Sequence, residues 1–529
     1  MDQTRRNEIR TQLQDMDARA ATIRATMDDL RARISELSEE LSSNREERSR
    51  VASLISPIED LPDELLADIW DYTRECHRLR PHDMYTIDKC RSMFCAPAIL
   101  QMSWVCRRWR DVALSTPMLW SDLLLSPHMS LQLMRLKVER SQSCPLDITV
   151  ECSHYCRKPA HGSNRIVERL NLLICEIRLE IPRWRSFQLF ACVGIAEVRG
   201  QVLGGNGHTG QPILTACTAA LTIMHAPQLV DFRVVFDCGP EFIPELPELS
   251  TECFKVLKRV QVYGVDIRSS MSAFTGLVTL DLSLPRYLRP TPEEMRDMVL
   301  GSPNLTVLYL EGPPIQGNFS VLDEYSFPVI TSSSVRTLRL ALVSDEDEFA
   351  HHFFNVFDFP NLESLCLSHS TPSELGNFAQ VVLNANTKPY FPNLTKFASE
   401  SNECLHLSLI LRAFPTVRHL ELCNEALTPF MKTLMADIPV QDGESESVQT
   451  VIPLLDTVSW IGDYTRADLA VFRRLIEKRS SGGIPIKKLI VCQRFLGLQK
   501  SVQDWFYERL DVEIVRQWLQ DDSSSWPAL

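Results

Sequence analysis

The sequence predicts a mixed α/β repeat protein with a small helical module ahead of the repeats and one long helix at the amino terminus. Three patterns carry this expectation. Apolar residues fall at alternating steps of four and three from Ile9 to Leu41, two tryptophan-bearing amphipathic stretches lie between Leu61 and Trp120, and an apolar triplet at i, i+3 and i+5 recurs eleven times from Trp184 to Val491, once imperfectly with the polar Ser399 in third place. At 529 residues the chain is too long for one ordinary core, so several domains or a repeat array are expected.

The first pattern runs Ile9, Leu13, Met16, Ala20, Ile23, Met27, Leu30, Ile34, Leu37 and Leu41, without an intervening Gly or Pro. This is a heptad seam and predicts one long helix over residues 1–54, ended by Pro57. Its flanking positions include Arg10, Arg19, Arg24, Arg31 and Arg33, with Asp17 and Glu40 the main acidic counterparts. Such flanks repel in a parallel homodimer, so only weak self-association is expected.

The second pattern begins at Leu61. Pro62 tolerates a helix start, Asp63 and Glu64 favour its positive end, and Leu61, Leu65 and Ile69 recur on one face. Ile99, Met102, Val105, Trp109 and Val112 form a second stripe, closed by Pro117 with Leu119 and Trp120 beyond it; Arg107, Arg108 and Arg110 occupy the other face. A module of about 65 residues has too small an interior to bury all of these apolar groups, so part of the surface is expected to meet a partner. The order LP-x-E-L-L-x-x-I, V-C-R-x-W-R-D-x-A and "STPMLW" resembles the F-box, in a form with an insertion from Cys76 to Ala96 similar to those of mushroom-forming fungi. "RSQSCPLDITV" is similar to the segment just after the F-box in such proteins. The resemblance implies docking on the Skp adaptor of a cullin-RING ubiquitin ligase, through Leu61, Pro62, Leu65, Ile69, Val105, Trp109, Leu119 and Trp120, with the module spanning 55–127.

The third pattern comprises Trp184/Phe187/Leu189, Leu229/Phe232/Val234, Leu257/Val260/Val262, Leu277/Leu280/Leu282, Leu305/Leu308/Leu310, Val335/Leu338/Leu340, Leu362/Leu365/Leu367, Leu394/Phe397/Ser399, Val417/Leu420/Leu422, Leu455/Val458/Trp460 and Ile486/Leu489/Val491. Seven triplets have a proline two residues ahead: Pro182, Pro227, Pro303, Pro360, Pro392, Pro415 and Pro453. A short strand after a proline corner, repeated mostly every 20 to 38 residues, predicts a solenoid over 128–497. The L-x-x-L-x-L pattern resembles irregular leucine-rich repeats. Stretches such as Ile213 to Ala226 suit outer helices, and Val502, Trp505, Phe506, Leu510, Val515, Trp518 and Leu519 suit cap helices over 498–521, before a disordered tail at 522–529. Alternation places Gln261, Asp281, Tyr309, Arg339 and Glu421 on one exposed row of the concave face, the expected substrate-binding surface. Tyr309 and Arg339 lead it, since aromatic and Arg side chains dominate hot spots.

The remaining chemistry is sparse. A formal net charge of −13 argues against coating nucleic acid or anionic membrane. "MDQTRRNEIR" is not a signal peptide, and no apolar run is long enough to span a bilayer. Sixteen scattered cysteines suit a reducing compartment, so a cytoplasmic or nuclear location is expected. "GNGHTG", Gly205 to Gly210, fits G-x-G-x-x-G with Asp231 downstream, but Pro212 and the placing of Asp231 within a repeat strand favour a surface loop. Cys152, His154, Cys156 and His161, and Cys76, His77, Cys90 and Cys95, lack paired C-x-x-C spacing, so no metal or other cofactor is expected. "SDEDE" and "DGESES" read as solvated loops. The expected function is therefore non-enzymatic: a substrate-recognition adaptor joining a target protein to the Skp adaptor and its cullin. The alternative is a leucine-rich-repeat scaffold without a ubiquitin-ligase role.

Overall fold

Each of the eleven triplets lies on a strand of one parallel sheet, because alternating side chains can bury one face of an extended segment only when neighbouring strands share its register. The computed structural model describes residues 3–53, 58, 61–78, 98–126, 129–151, 163–192, 196–198, 201–203, 226–237, 245–246, 248–249, 254–284, 288–312, 315, 329–341, 353, 356–368, 372–383, 390–399, 404–422, 428–435, 437–442, 445–460 and 466–515. The chain divides into two units, Met1–Thr73 and Arg74–Leu529.

In the first unit, α1 (Gln3–Ser53) is a single helix of 51 residues. Along it Leu13, Met16, Ile23, Met27, Leu30, Ile34, Leu37 and Leu41 are all exposed. Next comes α2 (Asp63–Arg78), with Asp63 and Glu64 in its first turn and a backbone bond from Leu66 N–H to Pro62 O at 3.1 Å. Among its described side chains Leu66 and Trp70 are buried, whereas Leu65 and Ile69 are exposed.

The second unit begins with α3 (Ala98–Ser103) and α4 (Arg107–Ser115). The expected single stripe from Ile99 to Val112 is therefore two helices. Cys106 breaks it: its extended backbone caps α4, its Sγ accepts from the Trp109 N–H at 3.4 Å, and Arg110 Nε reaches back to Ser103 O at 3.1 Å. Val105, in the break, is exposed instead of sharing a face with Ile99.

The sheet follows. Its strands are β1 (Asp122–Leu125), β2 (Leu146–Glu151), β3 (Trp184–Cys192), β4 (Asp231–Asp237), β5 (Arg259–Tyr263), β6 (Thr279–Ser283) and β7 (Val307–Glu311). They continue with β8 (Thr337–Ala341), β9 (Ser364–Ser368), β10 (Lys396–Ser399), β11 (His419–Leu422), β12 (Thr457–Trp460), β13 (Lys488–Cys492) and β14 (Asp511–Val515). All fourteen are arranged in chain order, each parallel to its neighbours. The second members of the triplets stand side by side from Phe187 through Phe232, Val260, Leu280, Leu308, Leu338, Leu365, Phe397, Leu420 and Val458 to Leu489.

The prolines have a local cause. The residue opening a triplet donates its N–H to the carbonyl three residues back, as Leu229 does to Ala226, Leu305 to Ser302, Leu362 to Phe359 and Val417 to Phe414. Pro227, Pro303, Pro360 and Pro415 thus occupy the second position of a β-turn, where a fixed φ is favourable. Parallel neighbours require a crossover between strands, and among the described residues several of these crossovers are helical. Among the returning helices, Pro292–Leu300 begins with a capping box, Thr291 and Glu294 each bonding the other's backbone N–H. Helices Pro372–Leu383, Cys404–Ala413 and Arg466–Ser481 contribute Leu375, Phe378, Leu407, Ile410, Phe472 and Leu475 to the same core as the sheet. Stacked and tilted rings continue that core along the early strands: Trp184 on Phe187 at 5.4 Å, Phe187 on Phe232 at 5.9 Å, and Phe232 near Phe274 at 6.2 Å.

Several expectations need correction. The sheet begins at Asp122 and ends at Val515, beyond the expected 128–497, because β1 extends it at one end and β14 at the other. At the carboxyl end, Lys500–Tyr507 is helical, with Phe506 buried, but Asp511–Val515 is a strand in place of a cap helix; Trp518, Leu519 and the tail lie outside the described residues. The "DGESES" stretch, expected as a solvated loop, contributes Asp442 and residues 445–447 to a pair of antiparallel strands, Asp437–Asp442 and Ser445–Thr450. The expected helix over 213–226, the "SDEDE" stretch and the insertion from residue 79 to 96 also lie outside the described residues, apart from Ala226. No helix among the described residues is long and apolar enough to cross a membrane.

Candidate functional site

The apolar face of the sheet is committed to the core, so function must be sought on the other face and on the helices before it. On that other face the fifth position of each triplet forms one continuous row. It passes from Gln188 through Arg233, Gln261, Asp281, Tyr309, Arg339, Cys366 and Ala398 to Glu421 and Ser459, each the register partner of the next. Neighbours in such a row are about 4.8 Å apart along the sheet.

The structure brings together four of the five expected residues. Gln261 donates from Nε2 to Asp281 Oδ2 at 2.7 Å. The Arg339 guanidinium lies 5.0 Å from the centroid of the Tyr309 ring, within cation–π range. The expectation that this row is exposed is corrected: Asp281, Tyr309 and Arg339 are buried, with 8%, 8% and 5% of their surface exposed, because long side chains on adjacent strands cover one another, while Gln261 is half-buried. Glu421 stands three strands beyond Arg339 and belongs to a different cluster, in which Lys396 Nζ lies 2.9 Å from its Oε2.

Burial pushes the Asp281 carboxyl up to about 7, against the opposing pull of Arg233 and Arg339; Glu311 adds to the rise and the bond from Gln261 resists it. Burial likewise raises the Tyr309 hydroxyl, with Arg339 and a hydrogen bond with Ser368 acting against it. Near Glu421, burial and then the charge of Lys396 push His419 down to about 4, so its ring is neutral near pH 7; its Nε2 lies 2.6 Å from Ser459 Oγ. The row is thus a closed network of acid, amide, phenol and guanidinium groups. Arg233, Glu311, Ser368, Lys396, His419 and Ser459 were not expected from the sequence. Arg233 and Ser459 carry the same offset from Leu229 and Leu455 that selects Gln261 from Leu257, so the pattern did contain them.

The helical residues separate into two sets. In the first unit, Leu61 is half-buried, Pro62 is exposed, and Leu65, Ile69 and Tyr72 follow one another along an exposed line of α2. In the second unit, Trp104 and Val105 are exposed and Trp109 is half-buried. Leu119 and Trp120 are fully inside: Trp120 donates from Nε1 to Ala113 O at 2.7 Å, and the Arg140 guanidinium lies 4.4 Å over its ring. The expectation that these two help form a docking surface is corrected by their burial. Trp120, Leu123 and Leu125 are themselves an i, i+3, i+5 triplet, and Trp120 occupies the core position that Leu229 or Leu277 fills further on.

The nucleotide-like "GNGHTG" and the cluster from Cys152 to His161 lie outside the described residues, as do Cys90 and Cys95. Asp231, the remaining part of the nucleotide pattern, opens β4 and faces Arg259 Nε at 3.3 Å. No protein-family model matches the chain, and no curated protein matches it.

Proposed function

We propose that the chain is the substrate-recognition adaptor of a Skp-cullin-F-box ubiquitin ligase. On this reading residues from Ile58 to Leu125 form the F-box-like segment, and the parallel ladder is an irregular leucine-rich-repeat-like solenoid whose polar row receives the target protein. The observation that carries the reading is the double character of α2, the helix of the LP-x-E-L-L motif: Leu66 and Trp70 are buried while Leu65 and Ile69 remain 49% and 45% exposed. Two apolar faces on one short helix serve a core and a partner at once. The row from Arg233 to Arg339 bears on the second requirement: it is rich in Arg and Tyr, but Asp281, Tyr309 and Arg339 are buried, so on this reading the target meets the row first at half-buried Arg233 and Gln261.

The protein performs no chemistry itself on this reading. It raises the effective concentration of a target beside a ubiquitin-loaded conjugating enzyme, so catalysis rests with its partners. The site of action is the cytoplasm or nucleus, where such ligases work. A scaffold without a ligase role is the second reading, favoured by one observation: Leu119 and Trp120 are buried within the chain itself. Binding of the purified chain to a purified Skp adaptor separates the two. Replacing Leu65 and Ile69 by Asp abolishes binding on the first reading and is immaterial on the second.

A further inference from the structure

The long amino-terminal helix carries an interaction surface of its own, independent of the ligase reading. Helix α1 rises about 76 Å at 1.5 Å per residue. Leu13, Met16, Ile23, Met27, Leu30, Ile34, Leu37 and Leu41 lie on one seam with 45–65% of each exposed. Together they present an area on the order of the 800 Å² per partner that a stable complex buries. Two apolar positions per heptad make a narrow coiled-coil stripe and not the broad face of a membrane-surface helix.

The charges around the seam decide what covers it. Between residues 19 and 33 the flanking positions are Arg19, Arg24, Thr26, Arg31 and Arg33, with no acid among them. The acids within this stretch, Asp28 and Asp29, stand on the side away from the seam, as do Asp15, Glu36 and Glu39 beside it; the flanking acids Asp17 and Glu40 lie just outside it at either end. Arg31 reaches Asp28 at 3.0 Å and Arg33 pairs with Glu36, but both pairs are exposed and cost little to exchange. A second copy fits poorly in either direction. Parallel chains set Arg19 against Arg24; antiparallel chains that keep Leu13 opposite Leu37 and Ala20 opposite Leu30 set Arg19 against Arg33 twice and Arg24 against itself, three like-charge contacts against the two attractive ones of Asp17 with Arg31. Flanking charges choose coiled-coil partners by this kind of match. We propose that the seam of α1 binds a helix of another protein that has its own heptad seam and acidic residues at the flanks facing Arg19, Arg24, Arg31 and Arg33.

The test uses the full chain and two labelled synthetic peptides of about five heptads, identical in their Ile/Leu seam but carrying Glu or Lys at the flanks. Fluorescence anisotropy should show the Glu peptide binding at least tenfold more tightly than the Lys peptide, and weakening as salt rises. The R19E/R24E/R31E/R33E variant should reverse the preference, and Met27→Asp with Ile34→Asp should remove binding of both; circular dichroism verifies that each variant keeps its helix. Equal binding of the two peptides, or binding of neither, overturns the proposal. So does a tight dimer of the chain alone that the Glu peptide leaves intact, which assigns the seam to a second copy. Co-sedimentation with phosphatidylserine-containing vesicles at physiological salt, without peptide binding, assigns it to a lipid surface.

Discussion

Replacing Asp281 by Asn tests whether the polar row is the closed network described. In the folded chain the carboxyl is displaced from 3.8 to about 7, mainly by burial. Between those values the folded state holds a proton that the unfolded state has released, so stability falls as pH rises toward 7 and is level above it. The full displacement corresponds to on the order of 4 kcal/mol, of which about 3 kcal/mol lies between pH 5 and 8. Asn retains an oxygen to accept from Gln261 Nε2 and cannot ionise. His419, lowered to about 4, acts in the opposite sense: it makes stability rise with pH up to about 6.5, but equally in both proteins, so it cancels from their difference. Urea denaturation of both proteins across pH 5 to 8 should therefore show D281N close to the wild type at pH 5 and gaining about 3 kcal/mol on it by pH 8. A difference that stays constant with pH refutes the burial of this carboxyl and with it the closed network.

Other outcomes follow from the same structure. Trp120→Ala empties a buried site and loses the bond to Ala113 O, and should cost about 3 to 5 kcal/mol in chemical denaturation. Gly264→Ala should destabilise by more than about 1 to 2 kcal/mol, the left-handed penalty alone, because φ is +66° and a Cβ would stand 2.0 Å from Phe236 O. Tyr309→Ala and Arg339→Ala should each abolish capture of the target protein in a pull-down; capture by both variants would move the binding surface elsewhere. Light scattering of the full chain should find mostly monomer at low salt and more dimer at moderate salt, as screening relieves the contact of Arg19 with Arg24.

The repeats were legible because burial of one sheet face demands the same offset on every strand. Ser399 shows how far this reaches: its polar side chain still falls in the register of Leu367 and Leu422, and it is buried there. Strands β2 and β14 escaped notice because Pro145 and Arg509 stand where an apolar first member is wanted. The β1 triplet was present in full, but Trp120 was assigned to the corner after Pro117 and so to the surface. The break between α3 and α4 was not legible, since a cysteine seldom caps a helix and nothing else in "SWVCRRW" interrupts the period. Within the row, Gln261, Asp281, Tyr309 and Arg339 could be placed by alternation alone. Their burial could not, because it depends on how closely adjacent strands bring long side chains together.

The most direct test of the proposed function is the mass, by size exclusion with light scattering, of the full chain mixed with a purified Skp adaptor. A one-to-one complex that forms with the wild type and is lost when Leu65 and Ile69 are both replaced by Asp is the predicted result. The contradictory result is two separate peaks for the folded wild-type chain and the adaptor at concentrations of tens of micromolar, roughly where an interaction worth less than 6 to 7 kcal/mol would fail to register.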